Sequence, residues 1–282
     1  MINKILITGA NGFSAKALIN ELKKIKNNVL FFSDLQEKSK YLNYFSCDLT
    51  RFKDTSNLIT KIHPNQIYHL AGLSTNIYHN DYAANVLATK NILDSILKVD
   101  IKIRVLLIGS AAEYGKTRSI NILEKTLPNP ISIYGLTKSF QTQLMKYYFN
   151  NHKLNIVMVR PFNLYGKDAP AHLLIGNLFH QISQYKLKKI NKINLGNLNA
   201  ERDYIDVKDA VKDYIFIMER GVSNQIYNIG TGAVTKIKDL VTKVFFEESV
   251  SLSALKENNF CSNGIKKSIA SISKINKLKL KK

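Results

Sequence analysis

The fold is decided by the stretch Asn3-Lys4-Ile5-Leu6-Ile7-Thr8-Gly9-Ala10-Asn11-Gly12-Phe13-Ser14-Ala15. An apolar run of strand length enters a Gly-x-x-Gly-x-x-Ala turn, after which helical spacing begins. Gly9 and Gly12 let the backbone turn tightly and approach a pyrophosphate, which the free N–H groups of a helix N-terminus attract. The stretch therefore predicts the start of a dinucleotide-binding βαβ unit.

The alternation of strands and helices continues along the chain. Strands are predicted at 3–8, 28–33, 43–46, 66–71, 103–109 and 155–160, and helices at 12–25, 54–62, 81–98 and 134–151. Continuous apolar, β-branched runs suit a parallel sheet that is covered on both faces. The fold class is predicted to be α/β, with a Rossmann-type doubly wound parallel sheet.

After Pro161 the elements become shorter, and they are expected to be too small for a core of their own. They are predicted near 173–185, 191–195, 207–219, 225–229 and 236–246. Residues 1–162 are therefore expected to form an NAD(P)-binding Rossmann domain that carries the catalytic residues. Residues 163–282 are expected to form mainly a small C-terminal substrate-binding lobe, with segments that return to the Rossmann core and a basic C-terminal tail.

Composition excludes several classes of protein. The 282 residues are 45% apolar, which excludes a disordered chain, and the two cysteines, Cys47 and Cys261, fit neither a disulfide framework nor a zinc site. Both are predicted to be inert thiols, and no metal is expected. No apolar run approaches the ~20 residues that span a bilayer, and no signal peptide opens the chain. A cytoplasmic protein without membrane contact is predicted.

The formal charge is +20, from 41 Lys and Arg against 21 Asp and Glu. Residues 266–282 hold seven lysines and no acid, so 20 − 7 = +13 is spread over the remaining chain without an Arg-rich or aromatic-interleaved stripe. This distribution favours a solvated surface and tail, and nucleic-acid binding is not expected.

Asp34 closes the second predicted strand, where a carboxylate accepts hydrogen bonds from an adenosine ribose. The same charge repels a 2′-phosphate. NAD(H) is therefore favoured as cofactor, although Lys38 and Lys40 could compensate the repulsion and admit NADP(H).

Tyr-x-x-x-Lys pairs indicate where the chemistry lies, but about two are expected by chance from 14 Tyr and 35 Lys. Three occur, and they are Tyr134/Lys138, Tyr185/Lys189 and Tyr204/Lys208. Only the first opens an amphipathic helix downstream of a fifth strand that ends near Ser110, at the sheet edge where doubly wound folds bind ligands. Ser110, Tyr134 and Lys138 are predicted to be catalytic: Lys138 lowers the tyrosine pKa from ~10, and Ser110 holds the reacting oxygen.

Further motifs resemble the extended short-chain dehydrogenases/reductases that act on nucleotide sugars, over residues 3–250. The motifs are Cys47-Asp48-Leu49-Thr50, His69-Leu70-Ala71-Gly72, Asn85-Val86-Leu87-Ala88-Thr89-Lys90-Asn91 and Arg160-Pro161-Phe162-Asn163-Leu164-Tyr165-Gly166. Asp48 is then expected to face the adenine, and His69 is assigned no chemistry. With the residues above, the expected cofactor-binding set is Gly9, Asn11, Gly12, Phe13, Asp34, Asp48, Leu49, Leu70, Ala71, Gly72, Tyr134, Lys138 and Pro161. The expected substrate-binding set is Ser110, Ala111, Ala112, Asn163 and Arg202.

The segment Leu195–Tyr204 resembles that of GDP-mannose dehydratases and GDP-4-keto-6-deoxy-mannose reductases, which implies that Arg202 binds a diphosphate. The alternative is a surface arginine paired with an acid. Dehydratases of this branch carry a Glu two residues after the catalytic hydroxyl, where this chain has Ala112. Glu113 is expected to point in a different direction. GDP-fucose synthases carry a Cys in this motif, and residues 110–115 contain none.

These features predict a reductase of a GDP-linked 4-keto-deoxy sugar that takes hydride from NAD(P)H. A C4 epimerase with the same catalytic residues is the alternative within the fold. A non-catalytic dinucleotide-binding regulator or an RNA-associated protein is the alternative of another class. Helices 81–98 and 134–151 are expected to pair across a two-fold axis in a homodimer.

Overall fold

Strands and helices alternate through the computed structural model, which describes residues 2–196, 198–257 and 267–281. The strands are β1 (Asn3–Thr8), β2 (Asn28–Asp34), β3 (Tyr44–Ser46), β4 (Gln66–His69), β5 (Arg104–Ile108), β6 (Asn121–Ile122), β7 (Ile156–Pro161), β8 (Asn163–Tyr165), β9 (Ile193–Leu195), β10 (Glu201–Arg202), β11 (Tyr204–Asp206), β12 (Ile226–Ile229), β13 (Thr235–Lys236), β14 (Leu255–Glu257) and β15 (Lys267–Ala270). The helices are α1 (Phe13–Leu22), α2 (Phe52–Ile62), α3 (Tyr78–Tyr82), α4 (Ala88–Val99), α5 (Ile133–His152), α6 (Leu174–Lys186), α7 (Val207–Arg220), α8 (Ile237–Glu247) and α9 (Ser273–Leu280).

Seven parallel strands form the central sheet in the order β3-β2-β1-β4-β5-β7-β12. Ile5 of β1 lies between Leu30 of β2 and Gln66 of β4, so the strand order reverses at β1. A crevice opens at the carboxyl ends of the strands where such an order reverses. The predicted Rossmann-type doubly wound sheet is confirmed.

Helices cover both faces of this sheet. On one face α1 and α7 bury Leu18, Tyr214 and Ile217, and on the other α2, α4 and α5 bury apolar side chains such as Ile59 and Ile92. Burying one large aliphatic side chain contributes about 1.5–3 kcal/mol to folding. The helical periodicity of the sequence is what supplies each helix with its buried face.

Two of the short elements expected in the substrate-binding lobe lie on the nucleotide-binding sheet. Segment 225–229 forms β12, which pairs with β7 at Ile226 and Met158, and segment 207–219 forms α7, which packs on α1. The sequence analysis expected some segments to return to the Rossmann core, but it did not identify these two, because four residues of β-strand pattern do not reveal which strand they will pair with.

Lysines of the predicted basic tail lie in folded elements. Lys267 in β15 forms a 2.7 Å ion pair with Glu201, and Lys279 in α9 forms a 2.6 Å ion pair with Asp213. Ile275 of α9 is buried among the core residues of the central sheet. The described part of this segment is therefore an integral part of the fold, which corrects the expectation of a solvated tail.

The other short elements form an apolar cluster of their own, contrary to expectation. Its buried residues come from α6, α8 and the segments around β9 and β14, and they include Ile175, Leu178, Ile193, Leu240 and Phe245. A four-stranded sheet in the order β13-β10-β15-β6 joins three strands of the later segments to β6, which precedes them in the chain. None of the described helices is both long and apolar enough to span a membrane. A cytoplasmic location stays a prediction.

The predicted helix 81–98 is divided into α3, one π-helical turn over Ala83–Leu87, and α4. The Asn85 side chain in this turn accepts from Leu73 N at 3.0 Å and donates to Leu73 O at 2.8 Å. Asp81 is fully buried and accepts three hydrogen bonds from Thr75 and Asn76. These contacts hold the loop after β4 against the helix, beside the crevice.

Candidate active site

The glycine turn between β1 and α1 approaches the chain after β4 closely. Gly9 has φ +66°, and a Cβ there would lie 2.7 Å from Ala71 N, so both conformation and space require glycine. Gly12 N donates to Gly9 O at 2.9 Å, and α1 begins at the next residue. The N-terminal turn of α1 is thereby placed at the mouth of the crevice.

Asp34 fixes this turn from the end of β2. Its two carboxylate oxygens accept from Asn11 N at 2.9 Å and from Leu35 N at 2.8 Å. Asp48 similarly accepts from both the backbone N–H and the hydroxyl of Thr50, at 3.0 and 2.6 Å. The carboxylates have unused lone pairs, since each oxygen can accept more than one hydrogen bond, and these can receive hydroxyl or amino groups of a nucleoside.

A cavity of about 320 Å³ occupies the crevice. Nine residues of the expected cofactor-binding set line it: Gly9, Asn11, Gly12, Asp34, Asp48, Leu49, Leu70, Ala71 and Gly72. Glycine backbone near a helix N-terminus suits phosphates, and the carboxylates suit ribose and adenine, so the donor set fits a dinucleotide.

Other lining residues were missed by the sequence analysis, and they are Leu35, Gln36, Cys47, Thr50, Leu73, Ala84 and Ala88. Gln36 accepts from Asn11 Nδ2 at 3.2 Å, and its position two residues after Asp34 was the available signal. Ala84 and Ala88 lie one helical turn apart, and their small size leaves space for a ligand.

Four residues of the cofactor set lie outside the lining of this cavity, and they are Phe13, Pro161 and the pair Tyr134 and Lys138, which is described below. The Phe13 side chain lies against Gly166 and lines a neighbouring cavity. Pro161 ends β7, paired with Ile229.

Burial, together with the charges of Asp54 and Asp48, raises the pKa of the Cys47 thiol to about 11, so this thiol stays protonated at neutral pH. Cys261 lies outside the described residues, which contain no cluster of His, Cys, Asp and Glu able to hold a metal.

The predicted catalytic residues come together at the end of β5. Ser110 caps a 3₁₀ turn over Ala111–Glu113, and its Oγ accepts from Ala112 N at 3.1 Å. Tyr134 and Lys138 lie on the first two turns of α5, which Ser132 caps at its N-terminus. The Ser110 side chain acts on the Tyr134 phenol and lowers its pKa.

Burial raises the pKa of Tyr134 to about 12, and the lowering effect of Ser110 offsets this only in part. This differs from the expectation that Lys138 would bring the pKa down. The reason is geometric: Lys138 Nζ donates to Ile108 O at 2.8 Å and to Gln141 Oε1 at 3.3 Å, and it lies 6.0 Å from the Tyr134 ring centre. Burial in turn lowers the pKa of Lys138 to about 8, against the opposing charges of Glu113 and Asp81.

Glu113 is fully buried beneath this site. Its Oε2 accepts from Arg160 Nη2 and from the Thr142 hydroxyl, both at 2.6 Å, and its Oε1 accepts from Ser110 N at 2.9 Å. The carboxylate is thus directed into the core, in agreement with the expectation that it would point differently from a dehydratase base. Ala112, at the position of that base, has no titratable group.

The expected substrate-binding residues lie on elements after β5 and β7. Ala111 and Ala112 form the 3₁₀ turn, Asn163 in β8 donates its amide to Asp203 O at 2.9 Å, and Arg202 in β10 donates to Glu201 O at 2.9 Å. Burial lowers the pKa of Arg202, but an arginine remains charged at any physiological pH. The other Tyr-x-x-x-Lys pairs begin on α6 and β11, away from the end of β5.

A nucleotide cavity at the switch point of a Rossmann-type sheet, beside a Ser, Tyr and Lys set, defines an NAD(P)-dependent oxidoreductase of the short-chain dehydrogenase/reductase type. The chain belongs to the NAD dependent epimerase/dehydratase family, whose sequence model matches residues 5–230. Family membership confirms the predictions of an enzyme and of the extended short-chain dehydrogenase/reductase class, and NAD(P) is the cofactor that this class uses.

Among curated proteins, the chain is 30% identical to GDP-6-deoxy-D-talose 4-dehydrogenase from Aggregatibacter actinomycetemcomitans, over 81% of this chain and 74% of the relative. It is 28% identical to a putative UDP-glucose 4-epimerase from Methanocaldococcus jannaschii, over 84% of this chain and 79% of the relative. RMD from Pseudomonas aeruginosa, solved in complex with NADPH, has a TM-score of 0.83 at 22% identity, covering 98% of this chain and 92% of that one. The last comparison shows the fold.

Proposed function

We propose that this protein reduces the keto carbon of a GDP-linked 4-keto-deoxy sugar with NAD(P)H. Three features support the choice of substrate: the 195–204 segment, the placement of Arg202 in β10, and the similarity to a dehydrogenase named for a GDP-6-deoxy sugar. A guanidinium group binds phosphate oxygens in two-point geometry, which suits Arg202 to a diphosphate. Residues 163–282 would contribute most of the sugar-binding surface.

The direction of Glu113 is the observation that carries the reaction type. Removal of a proton beside a carbonyl requires a base within hydrogen-bonding reach. Glu113 is committed to Arg160, Thr142 and the Ser110 backbone, and Ala112 offers no base. A single hydride transfer needs no such group, so the site supports reduction better than dehydration.

The chain's own residues have distinct proposed roles. Bound NAD(P)H supplies the hydride. Tyr134, whose raised pKa keeps it protonated at neutral pH, donates its phenolic proton to the developing alkoxide. Ser110 orients the carbonyl oxygen through its hydroxyl, and Lys138 holds the nicotinamide ribose and stabilises the phenolate that remains. NAD(H) is favoured over NADP(H) because Asp34 faces the adenosine end of the cavity.

The test is incubation of the purified protein with NADH or NADPH and a panel of GDP-, UDP-, CDP- and dTDP-linked 4-keto sugars. Reduction adds ~2 Da to the sugar nucleotide, and dehydration removes ~18 Da, so mass spectrometry separates them. We expect the +2 Da product with a GDP-sugar. Loss of water from GDP-mannose would contradict the proposal and identify Glu113 as the base to mutate.

C4 epimerisation is a second candidate function, favoured by the similarity to the putative UDP-glucose 4-epimerase. An epimerase uses the same residues to oxidise and re-reduce one carbon, and it leaves the mass unchanged. Conversion of UDP-glucose to its C4 epimer without added NADH would select this alternative. The protonated state of Tyr134 favours reduction, because epimerisation begins with proton removal.

We also propose a homodimer through α5 and the helical segment that runs from α3 to α4. The exposed aromatic side chains Tyr78, Tyr82 and Tyr147 lie on these helices, and the rings of Tyr78 and Tyr82 stack with centres 5.7 Å apart. Sedimentation at micromolar concentration should show a dimer that Tyr82→Glu dissociates. Phe246→Glu, at an exposed position on α8, is the matched control. A monomeric parent protein would refute the dimer.

A further inference from the structure

Lys138, which the proposed function places at the nicotinamide ribose, is almost fully buried. Its ammonium has three N–H bonds, and the described residues provide acceptors for two of them, Ile108 O and Gln141 Oε1. A Cβ on Gly72, which lines the cofactor cavity, would lie 3.2 Å from Nζ. The ammonium is thus held between a buried amide and the cavity floor.

Gln141 is itself fully buried, three residues after Lys138 on α5. An ammonium group can only donate, so the Gln141 carbonyl oxygen must face Lys138 and its amide nitrogen must face away. That nitrogen donates to Thr89 Oγ1 at 2.9 Å. The Thr89 contact therefore fixes the orientation in which Gln141 can accept from the lysine.

The hydrogen bonds that begin at Gln141 continue from Thr89 to β1. Thr89 donates its single proton to Asn85 O at 2.7 Å, so His69 Nε2, 3.0 Å away, must be the donor to Thr89. His69 Nδ1 then accepts from the Thr8 hydroxyl at 2.8 Å. Burial, with the Lys138 charge, lowers the pKa of His69 to about 3, so the imidazole is neutral at any working pH. The hydrogen bonds that join Thr8, His69, Thr89 and Gln141 therefore have one set of donors and acceptors, and this set does not change with pH near neutrality.

We propose that Gln141 is a positioning residue that keeps Lys138 protonated and aimed at the cofactor ribose. Its carbonyl dipole is the neutral acceptor that offsets the burial of the ammonium, while the anchored amide nitrogen prevents the side chain from flipping. This inference rests on the role given to Lys138 in the proposed function. It explains why Gln141, Thr89 and His69 are polar although they are buried.

Two acidic residues also act on Lys138, and the effect of Gln141 must be separated from theirs. Glu113, below Ser110, and Asp81, on α3, raise its pKa, whereas His69 is neutral and Tyr134 stays protonated. Neither acid has a hydrogen bond to Nζ among the described residues. Gln141 supplies the direct side-chain contact, so changing Gln141 shifts the lysine pKa without moving the acids.

The test measures NADH affinity from fluorescence between pH 6 and 10 in the parent protein, two Gln141 variants and two control variants. Gln141→Leu removes the acceptor and should move the pH at which affinity falls by about one unit to the acid side, the size expected for losing one hydrogen bond to a charged group. Gln141→Glu, which has nearly the same shape, places a carboxylate at the ammonium and should move it to the alkaline side. Gln143→Leu and Gln143→Glu, at an exposed position of the same helix, are the controls.

Opposite shifts of the two Gln141 variants support the proposal. A purely structural role would weaken both variants at every pH without moving the profile, and that result would overturn it. If Gln141→Leu does not fold, Gln141→Glu alone decides, since an unshifted or acid-shifted profile contradicts the proposal. Because the assay contains no sugar, an error in the proposed substrate leaves this measurement unaffected.

Discussion

The nucleotide end and the catalytic end of the crevice obtain their precision in different ways. At the nucleotide end, Gly9 and Asp34 position backbone: the glycine turns against Ala71, and the carboxylate receives backbone N–H groups. At the catalytic end, Ser110 and Lys138 contact the buried side chains of Glu113 and Gln141. These two are in turn held by residues from distant parts of the chain, Arg160 and Thr89. A local motif is sufficient for the first arrangement, whereas the second exists only when the whole core has formed.

The prediction with the largest expected effect concerns the buried ion pair between Arg160 and Glu113 at the catalytic end. Arg160→Met leaves the Glu113 carboxylate buried without its ion-pair partner, which should cost about 3–5 kcal/mol of unfolding free energy. Lys90→Met, which removes an exposed pair with Asp94, should cost less than about 1 kcal/mol. Urea denaturation measures the unfolding free energy of both variants. Equal losses would contradict the stabilising role of the buried ion pair. Replacing Glu113 by Leu in the Arg160→Met background should recover much of the loss.

The second prediction concerns chemistry at the catalytic end. Tyr134→Phe removes the proposed proton donor and should lower kcat by at least ~10², with NADH affinity nearly intact. Steady-state kinetics and fluorescence titration separate the two quantities. Tyr185→Phe, in the pair on α6, should leave kcat within about twofold. Turnover of Tyr134→Phe within tenfold of the parent would refute the assignment.

The third prediction concerns the nucleotide end. Asp34→Ala removes the acceptor for Asn11 N and Leu35 N, so NADH affinity should fall about tenfold and discrimination against NADPH should relax. Asp34→Asn keeps the shape without the charge and should mainly relax discrimination. Isothermal titration with both cofactors measures this. A parent protein that prefers NADPH would contradict the ribose argument and direct attention to Lys38 and Lys40.

The fourth prediction is a pH dependence. Burial lowers the Lys138 pKa to about 8, so the ammonium is present below that pH and is lost as the pH rises through it. We expect kcat/KM to decline above pH 8, by up to about tenfold per unit, while Tyr134 stays protonated. Lys138→Arg keeps the charge and should abolish the decline. A profile that is flat from pH 7 to 9.5 would contradict this prediction.

Local sequence was sufficient to predict the parallel sheet, the glycine turn after β1 and the place of Asp34 at the end of β2. It also located Ser110, Tyr134 and Lys138, because their spacing relative to β5 and α5 is local. Sequence could not reveal that Arg160 pairs with Glu113, 47 residues away, or that burial dominates both active-site pKa values. Neither could it place β12, whose partner strand β7 is specified by the three-dimensional packing.

The position of β12 and α7 has a consequence for how the protein is made. A nascent chain that has reached residue 162 contains six of the seven strands of the central sheet, yet β7 lacks its outer neighbour β12, and α1 lacks the helix α7 that packs on it. Tyr214, Ile217 and Ile229, which complete that apolar face, are synthesised later, and Ile275 later still. The nucleotide-binding half therefore leaves the ribosome with apolar surface exposed, and its folding is coupled to completion of the whole polypeptide.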